Sequence, residues 1–218
     1  MRSSAASDVY KRQMKKFVLS ISRQYGCGAR ETSALLSVAT GAKYYDKKAL
    51  AHMAAEDGLD PSIFDHYDEK PINSFLYAAS TEGLSMAFSS QMPMDERVFQ
   101  ATANAIRTAA AAEGSCIIIG RCADYVLEGR PDLVRVFLHA DMESRVRRAV
   151  QVYGMAEKGC REKIQKIDKR RAQYHNFFSS QKWGTGDGYD LNIDVSKLGP
   201  QDTAKLIEVY LRLRGFLD

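Results

Sequence analysis

Two glycines set between arginines carry the first chemistry. The stretch Arg23-Gln24-Tyr25-Gly26-Cys27-Gly28-Ala29-Arg30 follows a short β-rich run, Phe17 to Ile21, and leads into a helical run, Arg30 to Ala39. A strand, a glycine-bearing loop and a helix can cradle an anion, because backbone N–H groups and the helix N-terminus point at it. The phosphate-loop pattern GxxxxGK[ST] is met only at Gly28. Arg23 stands at its first glycine, Ala29 at its lysine, and Arg30 at its serine or threonine. The expectation is an anion nest of backbone amides from Arg23 to Arg30, with arginine supplying the positive charge.

The other apolar runs end on polar residues too. Asp46 and Lys47 follow Ala42–Tyr45, Gly120 and Arg121 follow Ser115–Ile119, His139 and Asp141 follow Leu133–Leu138, and Ser196 follows Leu191–Val195. Ligands of open α/β sheets bind beyond the carboxyl ends of the strands. Arg or Lys at three of those ends points to a phosphate-binding edge. Arg121 is the strongest single candidate. It is always charged, and its planar fork suits phosphate bidentately. Burying it without an anion is costly, so Asp46 is its expected partner when no ligand is bound. Asp46 itself has two readings, a helix cap for Lys47 to Ala55 and site chemistry. Asp168 and Arg171 lie at i and i+3 on a helical run, either a surface pair or a site pair.

These residues need a scaffold, and the pattern supplies one. Short apolar strands alternate with helical runs: Met94 to Glu113, Met142 to Tyr153, Glu157 to Phe178 and Gln201 to Leu213. Two of the strands are continuously apolar. That is the signature of a parallel sheet covered on both faces. The expected class is α/β, in three layers with about five parallel strands. In the first helix Leu35, Leu36 and Val38 read as the apolar side. Residues 47–93 read as an inserted acceptor-binding lobe, and 154–188 as a lid closing on Trp183-Gly-Thr-Gly-Asp-Gly188. Trp183 reads as a packing anchor. Residues 1–13 read as a disordered leader that is not native, with Met14 the natural start.

Composition bounds the class. The chain has 218 residues, 45% hydrophobic and 27% charged, with 15 Gly and 5 Pro, which excludes collagen-like and low-complexity chains. No apolar run spans a membrane. The four cysteines form no CxxC, so neither a zinc site nor a disulfide scaffold is expected, and a reducing cytoplasm fits. His52, His66, His139 and His175 share no spacing and receive no catalytic role. Net charge is +4, but Arg145 to Arg171 holds ten Lys/Arg against three Asp/Glu, a local +7 that leaves −3 elsewhere. One basic segment on a mildly acidic body points to a polyanion.

The segments ISRQYGCGARE (21–31), YYDKKAL (44–50), CIIIGRCADYVL (116–127), VRVFLHA (134–140), IDKRRAQYHNFF (167–178) and YDLNIDVSKLG (189–199) resemble, in order, the cytidylate kinase-like family. This is a divergent branch of the nucleoside monophosphate kinases, within the P-loop kinases. The resemblance covers residues 16 to 213. It implies a P-loop kinase fold with a monophosphate lobe and a mobile lid, a small nucleotide as partner, and ATP with Mg²⁺ as cofactors. By resemblance, Gly26 and Gly28 hold ATP phosphates through their backbone, with Arg30 or Arg23 in place of the lysine absent at Ala29. Tyr45-Asp46 resembles the Leu-Asp that opens the monophosphate site, where Lys47 replaces a hydroxyl residue. Gly120-Arg121 matches a Gly-Arg pair whose Arg contacts the acceptor, but Cys122 replaces the following Asp. Asp168 and Arg171 match the lid's Asp-x-x-Arg, and Ile164 replaces a lid Arg.

Three functions are expected in descending order. The first is ATP-dependent phosphoryl transfer to a nucleoside monophosphate, CMP-like, or to another small phosphorylated acceptor. The second is a catalytically degenerate nucleotide-binding regulator. The third is RNA binding through 145–171, where Tyr153, Tyr174, Phe177 and Phe178 could stack bases.

Overall fold

The computed structural model describes residues 15–55, 63–64 and 94–218. Its strands are β1 (Val18–Arg23), β2 (Lys43–Tyr45), β3 (Cys116–Ile119), β4 (Leu133–His139) and β5 (Leu191–Asp194). They form one sheet in the order β2-β3-β1-β4-β5, and every pairing is parallel. The helices are α1 (Ala29–Thr40), α2 (Lys47–Ala55), α3 (Met94–Ala111), α4 (Ala123–Val126), α5 (Met142–Gln151), α6 (Cys160–Ser179) and α7 (Gly199–Leu213). Because β1 lies in the centre and its connection runs first to β2 on one side, the loop after β1 opens at the middle of the carboxyl edge.

Alternation along β1 builds two cores. Phe17, Leu19 and Ile21 face one way and pack with Leu36 of α1 and Ala204, Ile207 and Leu211 of α7. Val18 faces the other way, with Leu50 and Ala54 of α2 and Val98, Ala105 and Ile106 of α3. Helices therefore cover both faces, which is the three-layer α/β fold that the strand pattern predicts. β1 and the central part of β4 pair from Val18 with Leu133 to Arg23 with Leu138.

Two local readings need correction. Leu35 and Val38 do not join Leu36 in the core: Val38 is 87% exposed. The buried face of α1 is Ala29, Thr32, Ser33 and Leu36, the i, i+3, i+4, i+7 set of one helical stripe. Two of these are hydroxyl residues, which hid the stripe from a count of apolar side chains. Thr32 Oγ1 donates to the Gly28 carbonyl at 3.0 Å and Ser33 Oγ to that of Ala29 at 2.8 Å, so each is satisfied in place. The short helix α4 was not expected from sequence. The leader and most of the acceptor lobe lie outside the described residues.

All four cysteines are free and buried. Among the described residues no helix is long and apolar enough to cross a membrane. Trp183 meets Phe137 edge-on, with ring centroids 5.0 Å apart, which is the packing role expected of it.

The corrected face of α1 gives a measurable contrast. Leu36→Ala should cost about 3 kcal/mol in urea unfolding, whereas Val38→Ala should change stability by less than about 0.5 kcal/mol. Equal costs would restore Val38 to the core.

Candidate phosphate-binding site

The loop between β1 and α1 is held from three sides. The Gln24 N–H donates to the Leu138 carbonyl at 2.9 Å, and Gln24 Oε1 accepts from the Ala140 N–H at 3.2 Å, which ties the loop to the end of β4. The Tyr25 N–H donates to Asp168 Oδ1 of α6 at 2.7 Å. The second Asp168 oxygen pairs with the Arg145 guanidinium of α5. Arg145 also donates to the Tyr25 carbonyl at 3.5 Å. Both side chains are largely buried, 7% and 14% exposed. Gly26 then passes against α5 with φ +83°, where a Cβ would stand 2.8 Å from the Arg145 carbonyl. Any other residue there would be strained and would push α5 away.

The held loop lines a cavity of about 570 Å³. Arg23, Gly26, Cys27, Gly28, Ala29 and Arg30 all face it, joined by Asp46 and Lys47 from the β2 end and Arg171 from α6. Nine of the residues expected at the site are thus brought to one space. Arg171 Nη1 donates to the Arg23 carbonyl at 3.3 Å, and its guanidinium lies 5.7 Å from the centre of the Tyr25 ring. Arg23 reaches sideways across the sheet edge. Its guanidinium lies so close over Gly120 that a Cβ there would be 2.0 Å from Nη1.

Asp168, Gly120 and Arg121 are not among the residues that line the cavity. Asp168 is engaged through both oxygens in holding the loop, which makes it an anchor of the site. Arg121 is 8% exposed and opens a strained turn. Gly120, Arg121 and Cys122 have φ of +72°, +60° and +54°. Two consecutive non-glycine residues in the left-handed region cost of order 1 kcal/mol or more each and gather at functional sites. Asp46 meets the backbone of α2. Its Oδ1 accepts from the Lys48 N–H at 2.9 Å and the Ala49 N–H at 3.0 Å, so it caps α2 while still facing the cavity.

Burial sets the chemistry of two neighbours. The Cys27 thiol is pushed up to about 11 by burial and donates to the Gln24 carbonyl at 3.0 Å, so it is neutral and inert near neutral pH. The Tyr153 phenol is likewise raised, first by burial and then by the Glu31 carboxylate that accepts its hydrogen bond at 3.2 Å.

Sequence reasoning missed Arg145, whose charge read only as part of a basic run, and a second buried chain. Asp124 Oδ2 of α4 and His175 Nε2 of α6 are 2.8 Å apart, and His175 Nδ1 lies 3.1 Å from Ser179 Oγ. This chain ties α6 to the helix that follows the Arg121 turn. The nearest available signal was the burial-prone spacing of His175 and Ser179 at i and i+4.

Among the described residues lining the cavity, Asp46 is the only carboxylate. Mg²⁺ binds through one or two carboxylates plus phosphate oxygens and waters, so a single acid beside an anion nest fits it. Thr32, the nearest hydroxyl in sequence, is wholly buried and spent on the Gly28 carbonyl.

The family model for the cytidylate kinase-like family matches residues 18–197. The chain belongs to the cytidylate kinase-like family. A search of curated proteins returns no match. Among solved structures, an uncharacterized protein from Eubacterium ventriosum is similar, with TM-score 0.68 and 23% identity over 90% of this chain and 99% of that one. A shikimate kinase from Bacteroides thetaiotaomicron has TM-score 0.51 and 12% identity, covering 90% and 98%. A sugar kinase from Janibacter has TM-score 0.51 and 14% identity, covering 93% and 99%. At these identities the likeness is one of fold, the P-loop kinase fold. In this chain Ala29 stands where the phosphate-loop pattern has its lysine.

The anchor makes a direct prediction. Breaking a buried pair by removing one partner costs about 3–5 kcal/mol, so Asp168→Ala should lower urea-unfolding stability by that amount. Arg171→Ala, on the same helix but facing the cavity, should cost less than about 1 kcal/mol. Equal effects would deny Asp168 its anchoring role.

Proposed function

We propose that this protein transfers a phosphoryl group from ATP to a nucleoside monophosphate, CMP-like, or to another small phosphorylated acceptor. The observation that carries this reading is the convergence of Arg23, Arg30, Lys47 and Arg171 on one 570 Å³ cavity walled by the glycine loop. A second, smaller cavity of about 160 Å³ shares Gly26, Cys27 and Val152 and continues to Val195, Ser196 and Gly199. On this reading the donor's base lies in the smaller cavity and its phosphates cross Gly26 to Gly28. The acceptor phosphate enters the larger cavity from the Asp46 and Arg121 side.

Phosphoryl transfer asks the protein for position and charge neutralisation more than for covalent chemistry. The loop amides and the N-terminus of α1 would hold the donor phosphates. Arg23 and Arg171 would offset charge on the transferring group, and Arg121 would orient the acceptor. Asp46 would hold Mg²⁺, which supplies charge neutralisation across the donor phosphates. Residues 154–188 form the lid in this reading, and closure would exclude water.

The aromatic residues of the RNA reading pack on neighbouring rings. Phe178 stacks on Phe99 with centroids 3.7 Å apart, Tyr174 packs on both, and Tyr153 packs on Tyr25. Tyr174 is buried, whereas Tyr153 and Phe178 are half-buried and Tyr153 lines the larger cavity. The degenerate-regulator reading keeps one specific support, alanine in place of the loop lysine.

A coupled ADP-release assay over the common nucleoside monophosphates decides between transfer and mere binding. The expected result is ADP release that rises with one acceptor class and is slow with ATP alone. Arg121→Ala should then lower kcat/KM for that acceptor by at least about tenfold, about 1.4 kcal/mol. ATP binding with no acceptor-dependent release would establish the regulator instead.

A further inference from the structure

The loop lysine of the phosphate-binding pattern has no counterpart at Ala29, which is 6% exposed and carries no charge. The resemblance names Arg23 or Arg30 in its place, and Arg171 faces the same cavity. Arg23 lies across Gly120, Arg30 is exposed at the start of α1, and Arg171 is bonded to the Arg23 carbonyl. A different arginine lies beside the loop. The guanidinium carbon of Arg148, from α5, would be 3.3 Å from a Cβ on Gly28, and its Nε 3.4 Å. Arg148 therefore lies directly over the residue that starts α1, where the helix presents its unpaired N–H groups.

What holds Arg148 there is Glu31, in the first turn of α1. Glu31 Oε1 is 3.6 Å from Arg148 Nη1, and Oε2 accepts from the Tyr153 hydroxyl at 3.2 Å. At 3.6 Å the contact is an ion pair without a hydrogen bond. The Arg148 side chain stays 25% exposed and borders the smaller cavity beside Gly26 and Cys27. A phosphate settling on the Gly28 amide would offer it a closer, forked contact than Glu31 does.

We propose that Arg148 carries the charge that the missing lysine would supply, contacting the donor's phosphates from above Gly28 while Glu31 keeps it in place. This rests on the nucleotide-binding reading given under Proposed function. The charge thus comes from the helix that leads into the lid, and not from the loop itself.

Calorimetric titration of the full chain with ATP, adenosine and inorganic tripolyphosphate tests it. Wild type should bind ATP and tripolyphosphate. Arg148→Gln should weaken both by about tenfold or more, the size of a lost charge-assisted contact, and leave adenosine unchanged within about twofold. Arg148→Lys keeps the cation but not the fork, and should retain tripolyphosphate binding, weaker than wild type, even if the Gln variant fails to fold. Equal weakening of adenosine and ATP would make Arg148 a platform for the base and overturn the proposal. So would unchanged tripolyphosphate binding in Arg148→Gln, or loss of tripolyphosphate binding in a folded Arg148→Lys. A wild type that binds neither ATP nor tripolyphosphate would sink the nucleotide reading itself, a distinguishable failure.

Discussion

Arg145 from α5 and Asp168 from α6 meet beneath the phosphate loop, and the shape of the site depends on their ion pair. The pair is largely buried, and it reaches both the N–H and the C=O of Tyr25. Such a pair contributes little net stability against an apolar substitute, since desolvation offsets most of its attraction. Its effect is positional. It fixes the loop at Tyr25, brings Gly26 against the backbone of α5, and leaves the next residues to curve around an anion. The same two helices carry Arg148 and Arg171, so the loop and the cations that face it are set by one joint.

The second constraint is the parallel sheet. With β1 at its centre and β3 beside it, the ends of β1, β2 and β3 open on one edge. Charges separated by about a hundred residues in sequence meet there: Arg23, Asp46 with Lys47, and the Gly120 turn. The left-handed backbone of Gly120, Arg121 and Cys122 is tolerated because the sheet and α4 over-determine it. The buried Asp124–His175 contact at 2.8 Å braces that turn against α6, so α6 is joined to the site at Asp168 and again at His175.

Much of this was legible in the residues. Continuous apolar runs such as Cys116–Ile119 gave the buried strands, and the polar residues after each gave the edge. The loop, Asp46 and Lys47 were found by that rule, and Arg171 by the resemblance of Asp168-x-x-Arg171 to a lid pair. What was hidden depended on tertiary pairing. Nothing in a basic run distinguishes Arg145, which is buried with an acid 23 residues away, from Arg147. The core face of α1 was hidden by Thr32 and Ser33, whose hydroxyls are absorbed by the helix's own carbonyls. Arg148 was invisible as a neighbour of Gly28, because only the packing of α5 on the loop brings them together. Of the two readings of Asp46, the structure shows the cap: the start of α2 offers two backbone N–H donors to its Oδ1.

The central claim is that two adjoining cavities, joined at Gly26 and Cys27, accept two phosphorylated ligands end to end. A bisubstrate mimic, adenosine and cytidine joined through five phosphates, tests it most directly by calorimetry. The account predicts one mimic per chain, bound about a hundredfold or more tighter than ATP, because the second contact becomes intramolecular. Binding no tighter than ATP, or two mimics per chain, would contradict it.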